Sequence, residues 1–118
     1  MKAAIVSLPA YKRDIAKLLT RAERLALEEH LAVAPDAHPI IRETRGVRKA
    51  TWGRGNVGKS DGIRVIYYHL VSRNAVYMLT AFAKTKQSDL SSAERKILRK
   101  LVDQIKRAQG SDANGEIN

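Results

Sequence analysis

At 118 residues, the chain is long enough for a single domain that buries its own hydrophobic core. It contains no cysteine, which excludes a disulfide framework, a thiol nucleophile and a cysteine-based zinc site. No stretch approaches the roughly 20 apolar residues of a membrane span, and no signal peptide is recognisable, so we expect a cytoplasmic protein.

The formal net charge is +10, and the basic residues are concentrated in one part of the chain. Eight Lys or Arg residues lie between Arg42 and Arg73, against only Glu43 and Asp61. A strong local excess of positive charge predicts a polyanionic partner such as nucleic acid. A well-solvated basic surface is the alternative interpretation.

The first part of the chain predicts a short strand followed by two helices. Residues 2–8 predict the strand, and Tyr11 to Leu19 predicts the first helix. Thr20 and Glu23 match a capping box, in which each side chain binds the backbone amide of the other residue. This box begins the second helix, which Pro35 closes, and we expect both helices to pack against a sheet.

A further strand and a glycine-rich loop follow. Residues 46–52 predict a strand that ends in Trp52. We interpret Trp52 as a core residue, and an aromatic platform on which a base stacks is the alternative. Residues 53–60 match the phosphate-binding pattern G-x-x-x-x-G-K-S letter for letter. That pattern needs a helix after the loop, whereas a strand follows here. We therefore interpret the segment as a loop that places Arg54 and Lys59 on a phosphodiester backbone.

The predicted fold is organised around a β-hairpin that runs from Gly62 to Lys84. Two runs rich in β-branched and aromatic residues flank residues 72–74, and both faces of each run are largely apolar, which predicts inner strands. A three-residue loop would pair Arg64 with Phe82 and place Arg64 and Lys84 on one face as diagonal neighbours. A loop of two or four residues would put the two cations on opposite faces.

A second capping box, Ser91 with Glu94, predicts the start of a C-terminal amphipathic helix that ends at Gly110. We expect residues 1–110 to form the domain and residues 111–118 to be a disordered tail. The apolar stripe that should dock on the sheet consists of Leu90, Ile97, Leu98, Leu101, Val102 and Ile105.

The residue types favour phosphodiester chemistry without a metal or a cofactor. No acidic pair falls where the strands converge, and the three histidines show no metal spacing. We expect His30 on a solvated helix face and His69 packed on the strand face opposite Arg64. Arginine matches two phosphate oxygens, and a lysine among other cations is a plausible base for attack by an RNA 2′-hydroxyl. Three tyrosines could donate protons or stack on bases, unless they are simply core residues: Tyr67, Tyr68 and Tyr77.

Three motifs occur together in the second half of the chain. They are Gly-Ile-Arg-Val-Ile-Tyr-Tyr at 62–68, Phe-Ala-Lys-Thr-Lys at 82–86, and Asp-Leu-Ser at 89–91 before a basic amphipathic helix. In this combination the sequence resembles the RelE/ParE toxin superfamily, specifically its HigB-like RelE branch. The resemblance extends to about residue 108 and implies a small α+β fold, with two N-terminal helices and a C-terminal helix on a mostly antiparallel sheet.

The resemblance also implies a function. A member of this branch is the toxin of a type II toxin–antitoxin system and cleaves translated mRNA in the ribosomal A site, by 2′-hydroxyl attack and without a metal. Its partners would be the ribosome with its mRNA and a cognate antitoxin, usually a helix-turn-helix DNA-binding protein. Two alternatives stay open: a gyrase inhibitor of the ParE kind, and a plain nucleic-acid-binding module.

The site residues follow by position. Arg64 matches the strand arginine that contacts the scissile phosphate, and Lys84 matches the basic residue that ends the next strand, so both are predicted to be catalytic. RelE proper has a tyrosine near the start of its C-terminal segment, where this chain has Asp-Leu-Ser at 89–91, which leaves proton transfer to Lys84, Lys86 or Tyr68. The residues predicted to bind RNA are Lys49, Arg54, Lys59, Arg73 and Lys86.

Overall fold

The computed structural model describes residues 1–53, 62–85 and 89–115. In this part of the chain the sheet has four strands in the order β1-β4-β3-β2, with β1 parallel to β4 and the other neighbours antiparallel. The predicted α+β fold is confirmed, and the two hairpin strands are the inner strands, as predicted. The elements, in chain order, are β1 (Ala4–Ser7), α1 (Pro9–Leu18), α2 (Arg21–Val33), β2 (Val47–Trp52), β3 (Ile63–Leu70), β4 (Ala75–Ala83) and α3 (Ser92–Gly115).

Both predicted capping boxes are present. The Glu23 amide donates to Thr20 Oγ1 at 3.1 Å, and the Thr20 amide donates to Glu23 Oε1 at 2.8 Å. Ser91 and Glu94 exchange the same two bonds at the start of α3. Each box satisfies two amides that would otherwise lack partners at a helix start. At its other end α3 continues to Gly115, so the helix end predicted at Gly110 is wrong.

The sheet lies between two hydrophobic cores. On one face, which we call the helix-pair face, α1 and α2 bury residues that include Tyr11, Leu27 and Tyr67. On the other, which we call the α3 face, α3 buries residues that include Ile66 and Val102. The two inner strands therefore carry apolar residues on both faces, which explains their nearly continuous apolar sequence.

Helix α3 docks through a narrower stripe than the one predicted. Leu98, Val102 and Ile105 are buried in the α3-face core, whereas Ile97 is 63% exposed. Ile97 lies about 100° around the helix from Leu98, which turns it away from the sheet. Its assignment to the docking stripe is wrong. No helix in the described ranges is long and apolar enough to cross a membrane.

The hairpin has the predicted pairing at Arg64, but its turn and its register differ from the prediction. Near the turn, Leu70 pairs with Ala75, so the connection has four residues and the predicted three-residue loop is wrong. A β-bulge further along leaves one residue of β4, Leu79, without a paired residue in β3. The bulge shifts the register by one residue, so Arg64 pairs with Phe82 as predicted.

The helix-pair face also holds the histidines and the tryptophan. The Nε2 atoms of His30 and His38 lie 2.8 Å apart, and the His30 ring lies 5.3 Å from the Trp52 ring. His30 is half-buried beside these rings, so the expectation of a solvated His30 is wrong. Trp52 packs against the core on the face opposite Arg64, which supports its interpretation as a core residue. His69 is hydrogen-bonded on that face, as predicted.

Candidate functional site

Arg64 lies on the α3 face, at the end of β3 that is far from the hairpin turn. The residue is only 8% exposed, and its Nη1 donates to the Ile63 carbonyl at 3.5 Å. Thr51 on β2 and Phe82 on β4 stand directly opposite it. Because paired residues project to the same face, the guanidinium has a hydroxyl on one side and an aromatic ring on the other. A cation so far withdrawn from water attracts an anion more strongly than an exposed one does.

Two lysines flank Arg64 on this face. The Lys84 amide donates to the Gly62 carbonyl at 3.1 Å, which continues the pairing of β3 with β4 and makes Lys84 a diagonal neighbour of Arg64, as predicted. Lys49 on β2 is the diagonal neighbour on the other side. The backbones of diagonal neighbours are roughly 7–8 Å apart. The structure therefore brings together three of the predicted site residues.

The first turns of α3 and the segment before it add two charged residues that are absent from the predicted set, Arg95 and Asp89. The Asp89 carboxylate lies 3.8 Å from Lys49 Nζ and 3.6 Å from Arg95 Nη2. The second capping box was a usable signal, because it fixes the start of α3 and so places Arg95 in its first turns, close to Asp89. What the sequence lacks is any sign that this turn lies beside Lys49.

The structure does not bring all predicted RNA-binding residues together. Arg73 lies in the turn between β3 and β4, where its Nη2 donates to the Gln109 carbonyl at 3.3 Å. At about 3.3 Å per strand residue, this turn is roughly 20 Å from Arg64. The other three, Arg54, Lys59 and Lys86, lie outside the described residues, as does most of the glycine-rich loop.

The tyrosines lie away from Arg64. Tyr68 shares its face but is four residues further along β3, roughly 13 Å away, and burial raises its pKa. Tyr67 projects to the helix-pair face, where its hydroxyl donates to the Pro35 carbonyl at 2.8 Å and burial raises its pKa to about 12. Tyr77 accepts a bond from a glutamine of α3. The structure thus does not place Tyr68 where it could serve the reacting phosphate.

Three cations on one face can bind and polarise a phosphodiester. Arginine offers a planar pair of donors to two phosphate oxygens, and lysine offers a compact charge. Among the described residues, no group of three or more His, Asp and Glu side chains is placed to hold a metal ion. The three cations themselves can stabilise developing negative charge and take part in proton transfer.

No family model matches the chain. Among solved structures, it is similar to an arginine-to-alanine double variant of the Escherichia coli toxin RelE in the free state, with a TM-score of 0.55 and 15% sequence identity. The match covers 75% of this chain and 90% of that chain. The likeness shows a RelE-like fold, as predicted.

Proposed function

We propose that this chain is the toxin of a type II toxin–antitoxin system and cleaves translated mRNA in the ribosomal A site. The observation that supports the proposal is the convergence of Arg64, Lys84 and Lys49 on one face of a RelE-like sheet. The net charge of +10 favours approach to a polyanionic particle such as the ribosome. The proposal includes a toxin domain spanning residues 1–110, a HigB-like specificity and a cytoplasmic site of action.

In the proposed reaction, the RNA 2′-hydroxyl attacks the adjacent phosphorus. The bond from O2′ to phosphorus forms, the bond from phosphorus to O5′ breaks, and the products carry a 2′,3′-cyclic phosphate and a 5′-hydroxyl. Arg64 donates to the non-bridging oxygens as their charge increases. Lys84 takes the proton from the 2′-hydroxyl or acts as a second charge stabiliser, and O5′ takes a proton from solvent water as it leaves. No metal or cofactor takes part.

The remaining basic residues would hold the substrate. Lys49 lies beside Arg64 and would contact a neighbouring phosphate. Arg73, at the hairpin turn, would contact RNA roughly 20 Å from the scissile bond. Arg54, Lys59 and Lys86 belong to the same proposed set. A cognate antitoxin, a helix-turn-helix DNA-binding protein, would neutralise the toxin by covering this face or by blocking its entry into the ribosome.

The test compares Arg64 variants in a purified translation system, with mapping of mRNA 5′ ends. Wild type should cut inside translated codons, and Arg64→Ala should cut at least about 100-fold more slowly, because a preorganised charge donor is lost. Arg64→Lys keeps the charge without the planar fork and should lie between them. Lys12→Ala removes an exposed charge from α1 and is the matched control. Thermal unfolding of each variant separates loss of activity from loss of fold.

Each outcome has a defined meaning. Cuts by a folded Arg64→Ala protein at the wild-type rate would refute the role of Arg64. The wild-type protein is also expressed in cells, where growth arrest with gyrase-dependent DNA damage and no mRNA cuts would replace the proposal with the gyrase inhibitor. Salt-dependent RNA binding with neither arrest nor cuts would leave a nucleic-acid-binding module.

A further inference from the structure

A cleft opens on the α3 face next to the group around Arg64. It has a volume of about 220 Å³ and is bounded by the connector before β2, by β2 itself and by the start of α3. Its charged lining residues are Arg42, Lys49, Asp89 and Arg95. Lys49 belongs both to this cleft and to the group around Arg64, so the two are continuous.

Arg95 lines the cleft, and the hydrogen-bonding capacity of its guanidinium is not fully used by the described residues. Its side chain is 25% exposed, and its Nε is buried with no hydrogen-bond partner in the described part of the chain. Among the described residues, its two terminal nitrogens make long ion pairs, at 3.6 Å to Asp89 and 3.7 Å to Glu43. These distances exceed those of charge-assisted hydrogen bonds, which are about 2.7–2.9 Å. Burial of Nε fixes the direction of the guanidinium and leaves donor capacity on its terminal nitrogens.

The Asp89 carboxylate lies between two cations, Lys49 and Arg95. Its carboxylate lies within 3.8 Å of Lys49 and within 3.6 Å of Arg95, and its side chain is 56% exposed. One of its oxygens already accepts the Leu90 amide at 2.8 Å. Ion pairs to a carboxylate this exposed contribute little net stability, so a better anion can replace the carboxylate at little cost.

A phosphodiester is such an anion. Its two non-bridging oxygens match the fork of an arginine, and a single carboxylate at these distances does not engage that fork. We propose that Arg95 and Lys49 form a second phosphodiester-binding subsite beside Arg64, and that the Asp89 carboxylate occupies it when no substrate is bound. The identification of the ligand as RNA rests on the proposed function, whereas the subsite itself rests on the geometry of these three side chains.

The test measures binding of a single-stranded RNA whose 2′-hydroxyls are all methylated, which prevents self-cleavage, to the full chain over a range of salt concentrations. Arg95→Gln should weaken binding about 5-fold to 10-fold and lower the salt slope by roughly 0.7–1, the value for one lost phosphate contact. Asp89→Asn keeps the oxygen that accepts the Leu90 amide and removes the competing charge, so it should tighten binding. Lys106→Gln removes an exposed charge further along α3 and controls for net charge.

The double variant tests whether Asp89 acts through the subsite. In the Arg95→Gln background, Asp89→Asn should tighten binding less than it does in wild type, because one of the two cations it competes for is gone. Arg95→Lys should keep the salt slope and lose part of the affinity, since it keeps a charge without the fork. Thermal unfolding of all variants excludes a general loss of structure.

Two results would overturn the subsite. One is an Arg95→Gln protein with the affinity and salt slope of the Lys106→Gln control, and the other is an Asp89→Asn protein that binds more weakly than wild type. Binding measurements test the subsite and mRNA cleavage tests the proposed function, so the failure of one can be told from the failure of the other. Binding changes as predicted, in a protein that leaves mRNA uncut on the ribosome, would support the subsite and refute the toxin activity.

Discussion

Thr44 holds the turn that precedes β2 and that α3 contacts through Glu43. Its side chain is completely buried, and Oγ1 donates to the Ile41 carbonyl at 2.6 Å and accepts from the Val47 amide at 3.1 Å. Glu43 and Arg45 on either side both have φ of 63°, in the left-handed region, so the hydroxyl braces a strained turn. Val47 begins the strand that carries Lys49, which ties this turn to the candidate site.

Thr44→Val keeps the shape of the side chain and removes both hydrogen bonds. Each buried backbone group left without a partner costs about 1–3 kcal/mol, so the free energy of unfolding should fall by about 2–6 kcal/mol. Thr44→Ser keeps the hydroxyl and loses one methyl group, which costs about 0.8 kcal/mol. The matched pair therefore separates the hydrogen bonds from the packing.

Urea unfolding followed by circular dichroism measures the difference. With a slope of about 2 kcal/mol per molar urea, a loss of 3 kcal/mol lowers the midpoint by roughly 1.5 M, and the slope itself should not change. If Thr44→Val proves no less stable than Thr44→Ser, the hydroxyl does not brace the turn and the reasoning is wrong.

Three further predictions concern the sheet and its docking. Gly62→Ala should lower the thermal midpoint, because its Cβ would overlap the Trp52 carbonyl oxygen; an unchanged midpoint would contradict that close approach. Burial raises the pKa of Tyr67 to about 12, so the folded state binds the hydroxyl proton more tightly than the unfolded state does. The stability that results is fully present below pH 10 and should be lost between pH 10 and 12. The loss, on the order of 2 kcal/mol, should be smaller in Tyr67→Phe when urea midpoints are compared across that range. Ile97→Ser should change the unfolding free energy by less than about 0.5 kcal/mol and Leu98→Ala should lower it by about 2–5 kcal/mol, and equal effects in urea titrations would contradict the docking stripe.

The parts of the fold that depend on nearby residues could be predicted from the sequence. The capping box of Thr20 and Glu23 joins residues three positions apart, so its chemistry is visible in the sequence, and so is the start of the helix that it caps. The pairing of Arg64 with Phe82 was also predicted, but it depends on a four-residue connection and a bulge whose effects on the register cancel. Neither could be predicted, because bulges depend on how the whole sheet twists and packs.

The candidate site could be predicted only in part. Arg64, Lys49 and Lys84 come together because strand pairing and side-chain alternation place them on one face. The alternation follows from local pattern, whereas the register depends on the connection and the bulge. Arg95 could not be predicted, since its surroundings depend on how α3 crosses the sheet. The same applies to His30, whose cover comes from residues that are distant in sequence.

The bulge at Leu79 also affects how this chain should be compared with related sequences. Because Leu79 has no paired residue in β3, its deletion would restore a regular ladder and leave the register unchanged on both sides, with Arg64 still opposite Phe82. A one-residue deletion elsewhere in either strand would turn every side chain beyond it to the other face. A relative whose hairpin is one residue shorter should therefore be aligned with its gap at Leu79. A gap placed in the turn would instead align every β4 residue from Ala75 to Leu79 with the wrong residue of the relative, although Lys84 would still be aligned correctly.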